Sequence, residues 1–170
     1  MVIYLDTSAL LKLYIHEDHS ETVQKWIERQ DDPLPVWDWQ QMEMYNALRL
    51  KVFWGDISAV QANRLIQLFG QRLHRGQYFY PEIDRAELRA SFQELSRETM
   101  RLGCRIMDIL HVACAMQIEP EVCLICDVVY DNQIVKDLIP REFAAFNDCS
   151  IRIQDGNKLS TKKNWGPNTK

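Results

Sequence analysis

The stretch Val2 to Tyr14, VIYLDTSALLKLY, decides how the chain is read. Val2, Ile3, Tyr4 and Leu5 form an apolar run without polar alternation, the pattern of a strand buried on both faces of a parallel sheet. The run ends on a carboxylate, Asp6, and continues as the helical-looking TSALLKLYI. A strand that ends this way carries its acid to the C-terminal rim of the sheet, where open α/β sheets hold their ligands. The same pattern recurs in EVCLICD, a second apolar strand ending on an aspartate, Asp127.

Helical patterns fill the space between these two strands. Ser20 is placed to cap a helix over ETVQKWIERQ, in which Val23, Trp26 and Ile27 share a face, and DDPLP then breaks the chain before a short PVW segment. A helix is predicted from about Gln41 to Trp54, stopped by Gly55. Another starts after a Ser58 cap and carries the stripe Ala62, Leu65, Ile66, Phe69 and Leu73. YFYPEID reads as a short strand or extended link, residues 84–101 as a helix halted by Gly103, and IMDILHVACAMQ as a buried helix closed by Pro120. This alternation predicts an α/β domain with a largely parallel sheet flanked by helices, over residues 1–153. The polar stretch 154–170 has little to bury and reads as a loose tail.

Composition narrows the function classes. The 170 residues are 46% hydrophobic, enough for one substantial core. With 20 Lys+Arg against 24 Asp+Glu, the formal charge is -4, so contact with nucleic acid would depend on a local basic patch. No stretch reaches the roughly 18 to 20 apolar residues of a membrane span, and the start lacks a secretory pattern, so a cytoplasmic address is expected. The cysteines Cys104, Cys114, Cys123, Cys126 and Cys149 are odd in number and sit mostly among apolar neighbours, as reduced core thiols do. In CLIC, Cys123 and Cys126 would point to opposite faces of a strand, and no second pair completes a zinc site.

Two further acids sit oddly on helices: Glu43 between two methionines, and Asp108 in RIMDILHVACA, sharing a narrow polar side with His111 at i+3. Each acid has a plain structural alternative. Asp6 and Asp127 could cap the helices that follow them, and Glu43 could face solvent. If all four converge at the rim, like charges about 5 Å apart repel by roughly 3 kcal/mol per pair at an effective dielectric near 20. Either protons or a cation must then quench them, and an all-oxygen donor set suits Mg²⁺ or Mn²⁺.

The segments VIYLDTSALLKLY, MEMYNALRLKVFWGDIS, RLGCRIMDILHVACA and VCLICD resemble, in order and spacing, the motif regions of PIN-domain ribonucleases, especially the VapC-type toxins of toxin-antitoxin pairs. The resemblance implies a three-layer α/β/α domain with a central, largely parallel sheet. It implies Asp6, Glu43, Asp108 and Asp127 as the catalytic and metal-binding acids, for Mg²⁺ or Mn²⁺. Thr7 or Ser8 would be a hydroxyl beside the first acid. Asn46, one turn after Glu43, would be an outer residue or structural, and His111 would belong to the packed helix. The sequence departs from the family after its last strand: Cys126 precedes Asp127 and VVYDNQIVK follows, so Asp131 is an alternative match or an additional outer acid. The resemblance further implies endoribonuclease action on single-stranded or structured RNA, a small VapB-type antitoxin as partner, and a homodimer. Lys12, Arg49, Lys51, Arg97, Arg101 and Arg105 are candidates for gripping RNA, each with a solvated-charge alternative. Trp26, Trp37, Trp39 and Trp54 are candidates for a partner face, each with a core alternative. The rival reading is a catalytically silent PIN module that binds RNA or serves assembly.

Overall fold

The computed structural model describes residues 2–120 and 122–124. Within them the chain is mixed α/β, mainly helical with short parallel strands. Strand β1 (Ile3–Leu5) leads into helix α1 (Thr7–Leu11), and α2 (Ser20–Ile27) precedes β2 (Leu34–Pro35). Helices α3 (Asp38–Trp54) and α4 (Ala59–His74) follow, then β3 (Tyr78–Phe79) and α5 (Arg85–Leu95). A 3-10 turn (Ser96–Glu98) joins α5 to α6 (Thr99–Leu102), and α7 (Ile106–Ile118) leads to β4 (Val122–Leu124).

The strands form two parallel pairs, β1 with β4 and β2 with β3. Tyr4 stands opposite Cys123 and Leu5 opposite Leu124, while Leu34 and Pro35 stand opposite Tyr78 and Phe79. The first and last described strands are therefore direct neighbours, as the two acid-terminated apolar runs suggest. Because side chains alternate across a strand, β1 and β4 feed two separate cores. Tyr4 and Cys123 pack with Trp37, Leu95, Ile109, Val112 and Cys114 on one side. Ile3, Leu5, Val122 and Leu124 pack on the other with Leu10, Val23, Met44, Leu48 and Phe69.

Several helix ends follow local sequence chemistry. Gly55 and Gly103 close α3 and α6 in the left-handed region, at φ 82° and 69°, a conformation that costs glycine nothing extra. Ser58 caps α4: its Oγ accepts from the Gln61 amide at 3.2 Å, and Gln61 Oε1 accepts from the Ser58 amide at 2.8 Å.

Elsewhere tertiary contacts shift the boundaries. Ser20 does not cap α2 but is its first residue, and His19 occupies the cap position with φ 70°. The Ser20 hydroxyl is buried, donates to the Ile15 carbonyl and accepts from the Glu17 amide, so it ties the loop before the helix. Helix α3 begins at Asp38, three residues before the expected Gln41, because Gln40 anchors it. The Gln40 amide donates to the Leu5 carbonyl at 2.7 Å, and its oxygen accepts from the Trp37 amide. The helix expected over 84–101 starts on an Asp84 cap but tightens to a 3-10 turn at Ser96. Helix α7 ends at Ile118, where the left-handed cap residue Glu119, at φ 43°, stops it before Pro120 is reached.

Candidate functional site

The rim at the end of β1 is built by three helices. Asp6 follows β1 directly, and its amide donates to the Leu124 carbonyl of β4 at 3.1 Å, which locks the rim to both strands. Its carboxylate caps α1: Oδ1 accepts from the Ala9 amide at 2.7 Å, and the Ser8 hydroxyl lies 2.9 and 2.8 Å from its two oxygens. Asp6 is buried. The helix-capping alternative and a rim position therefore coincide in this residue, since an N-cap faces the helix's positive end.

Thr7 reaches the other way. Its buried hydroxyl donates to Glu43 Oε2 on α3. The same carboxylate oxygen lies 3.1 Å from His111 Nε2 on α7. On the far side of the imidazole, Nδ1 is 2.5 Å from the hydroxyl of Tyr4, which has no solvent exposure. The carboxylate can only accept, so Nε2 carries a proton. In the neutral ring Nδ1 then accepts from Tyr4. A continuous relay results: Tyr4 to His111 to Glu43, with Thr7 alongside.

Electrostatics supports these assignments. Burial by itself would raise the Glu43 pKa. The hydrogen bonds that Glu43 accepts from His111 and Thr7 outweigh it and leave Glu43 below its ordinary value of 4.5. Burial pushes the Tyr4 hydroxyl well above its ordinary range, so it stays protonated as a donor. Trp39 packs edge-on against His111 with ring centroids 4.7 Å apart, fixing the plane of the imidazole.

Asp108 lies one turn before His111 on α7, half-buried. Its Oδ2 accepts from the Arg105 amide at 2.7 Å, which caps the helix start. Asn46 is exposed on α3. Asp127 and Asp131, together with Cys126, Cys149 and the stretch 154–170, lie outside the described residues. Thus Thr7 and Glu43 are joined directly, Asp6 adjoins Thr7 in the chain, and Asp108 adjoins the cluster through His111.

Carboxylates beside a hydroxyl are suitable donors for a hard divalent ion. Among the described residues, however, no group of three or more His, Cys, Asp or Glu is placed to hold one. Asp6 and Asp108 are engaged as caps and Glu43 is engaged by Thr7 and His111. The described part of the rim is therefore an incomplete donor set for a metal ion.

Of the cations near the early helices, Lys12 and Lys51 both pair with Glu17, and Lys51 also pairs with Asp56 at 3.2 Å. Arg101 pairs with Glu98, while Arg49, Arg97 and Arg105 are exposed. Trp37 is core, Trp26 and Trp39 are half-buried, and Trp54 is exposed beside Lys51.

Sequence reasoning did not single out Tyr4 or Gln40, and it read His111 as a packing residue. The available signals were the i+3 spacing of Asp108 and His111 and the polar Gln40 one turn before Glu43. No helix among the described residues is long and apolar enough to cross a membrane. No curated protein matches the chain. Residues 95–170 match the model of a family of unknown function (DUF5718), a span that includes Asp108 and Asp127 but neither Asp6 nor Glu43.

Proposed function

We propose that this chain is a PIN-like, three-layer α/β/α endoribonuclease that acts in the cytoplasm with Mg²⁺ or Mn²⁺ and serves as the toxin of a VapBC-type pair. A small antitoxin and a second copy of the chain would be its partners. The observation that carries this reading is the meeting of three elements at one rim. Asp6 ends β1, its neighbour Thr7 binds Glu43 of α3, and the same Glu43 oxygen faces His111, one turn from Asp108 on α7. Support comes from Glu43, distant in sequence, bonding the residue that follows Asp6 at the end of β1, the kind of sheet edge where α/β domains bind substrates.

In this reading Asp6, Glu43, Asp108 and Asp127 would hold the ion, with Asp131 as an outer acid; Asp127 and Asp131 lie outside the described residues. A bound divalent ion supplies charge stabilisation for a phosphodiester and a more acidic water. The chain's own residues prepare the site. Thr7 and His111 keep Glu43 ionised and fix its rotamer, Tyr4 fixes the His111 ring, and Ser8 orients Asp6.

The test is cleavage of labelled single-stranded RNA by the purified chain with Mn²⁺ or Mg²⁺, compared with Asp6→Asn, Asp108→Asn and Glu43→Gln. Metal-dependent cleavage should vanish in all three while circular dichroism stays unchanged. Cleavage equal to the parent's in folded variants would remove the nuclease reading.

A second reading, a silent PIN module for RNA binding or assembly, is favoured by one observation. Glu43 is already satisfied by Thr7 and His111 without an ion. It predicts RNA binding without cleavage and no thermal stabilisation by Mn²⁺.

A further inference from the structure

At the opposite end of β2 from the acid rim, the structure has a cleft of about 350 Å³. The turn before β2 and the turn before β3 form its mouth, and Leu13, Ile27 and Leu34 supply its apolar wall. That volume lies at the lower end of the usual range for small-molecule sites, roughly 300–1,000 Å³.

Two polar groups of the cleft have unused capacity. Arg72, half-buried on α4, donates from Nη1 to the Tyr78 hydroxyl at 3.0 Å and lies over the Tyr14 ring at 4.8 Å. Among the described residues no carboxylate pairs with it, and a guanidinium has five N–H donors. A cation withdrawn from water and held by two phenols is a ready partner for an anion, which it can grip in two-pronged fashion. Gln30 is the second group. Its amide nitrogen donates to the Asp32 carbonyl at 3.0 Å, which identifies the other atom as oxygen. That oxygen is buried and, among the described residues, has no hydrogen-bond partner. A buried acceptor without a donor costs free energy, and a ligand donor would remove that cost.

The remaining lining decides what kind of anion fits. Asp31 and Asp32 also line the cleft, and any repulsion from their carboxylates grows with the negative charge of the ligand. A singly charged anion meets less of it than a phosphate dianion does, and a donor group on the ligand suits the Gln30 oxygen. We propose that this cleft binds a small aliphatic carboxylate bearing a hydrogen-bond donor, the chemistry shared by branched amino acids and 2-hydroxy acids. The carboxylate meets Arg72, the donor meets the Gln30 oxygen, and the aliphatic body covers Leu13, Ile27 and Leu34.

The test is calorimetric titration of the full chain with ligands sharing one aliphatic body: L-leucine, 2-hydroxy-4-methylpentanoate, 4-methylpentanoate and 3-methylbutylamine, with inorganic phosphate alongside. Saturable binding is expected for leucine or the hydroxy acid, and whichever binds tighter identifies the donor. The acid without a donor and the amine without a carboxylate should each bind at least about tenfold more weakly. Arg72→Met should abolish binding. Because Arg72 also braces Tyr14 and Tyr78, Gln30→Leu provides the second arm, with at least a tenfold loss of affinity and an unchanged unfolding midpoint. No saturable binding by either donor-bearing acid, equal affinity for 4-methylpentanoate, tighter binding of phosphate, or full affinity in folded Gln30→Leu would each overturn the proposal.

Discussion

Replacing Tyr4 by phenylalanine deletes one oxygen from a position with no solvent access and leaves the rest of the ring in place. The edge-on contact with the His111 ring, 5.9 Å between centroids, survives the change. What disappears is the 2.5 Å partner of His111 Nδ1, on an imidazole that is only 7% exposed. A buried acceptor stripped of its donor costs about 1–3 kcal/mol. His111→Leu removes both hydrogen bonds of the ring and strands the Tyr4 hydroxyl, a loss of the same order. In the double variant neither polar atom remains, so Tyr4→Phe should cost little on the leucine background. The coupling between the two positions is therefore expected at about 1–2 kcal/mol. Equilibrium unfolding in urea at pH 7, followed by the fluorescence of Trp37 and Trp39, measures it. A slope of about 2 kcal/mol per molar converts a 2 kcal/mol loss into a midpoint shift of roughly 1 M. Single-variant losses that add to within about 0.5 kcal/mol would show that Tyr4 and His111 do not act as a unit and would refute the relay.

Other consequences follow from the same contacts. Glu43 titrates below its ordinary value in the folded chain, so the stability it contributes is fully present above about pH 4.5 and disappears as pH falls through its lowered folded value. Glu43→Gln should flatten the acid limb of a stability-versus-pH profile, and an unchanged limb would contradict the assigned bonds. Phe69 has no exposure and meets Tyr14, Tyr45 and Tyr78 at centroid distances of 6.0, 5.7 and 5.2 Å; Phe69→Ala should lower unfolding free energy by about 3–5 kcal/mol, and a loss under 1 kcal/mol would mean that this core is loosely packed. Gly55→Ala meets no atom within 4 Å but inherits a φ of 82°, so a loss of about 1 kcal/mol from backbone strain alone is expected by thermal unfolding. The Cys114 thiol is pushed up to about 12, burial being the largest cause; at pH 7 iodoacetamide should label it only under denaturing conditions.

The strands, helix stops and caps that depend on neighbours in the chain are legible in the sequence. Unbroken apolar runs marked β1 and β4, Gly55 and Gly103 marked helix stops, and Ser58 marked the start of α4, because each feature is decided by chemistry within a few residues. Asp6 was legible as a rim acid for the same reason: it ends the strand. Boundaries set at long range were not. Gln40 advances α3 by bonding a carbonyl 35 positions earlier, and Ser20 is drawn inward by a loop rather than exposed as a cap.

By itself the sequence determined an α/β alternation and the acidic residues that end or interrupt its apolar segments. Only the tertiary structure decided that Glu43 would be met by Thr7 and His111, and His111 by a strand tyrosine 107 positions away. The physical reason is that a hydrogen-bond partner is chosen by which surfaces pack together. Periodicity states which face of an element is apolar but leaves open which distant polar atom that burial will oppose.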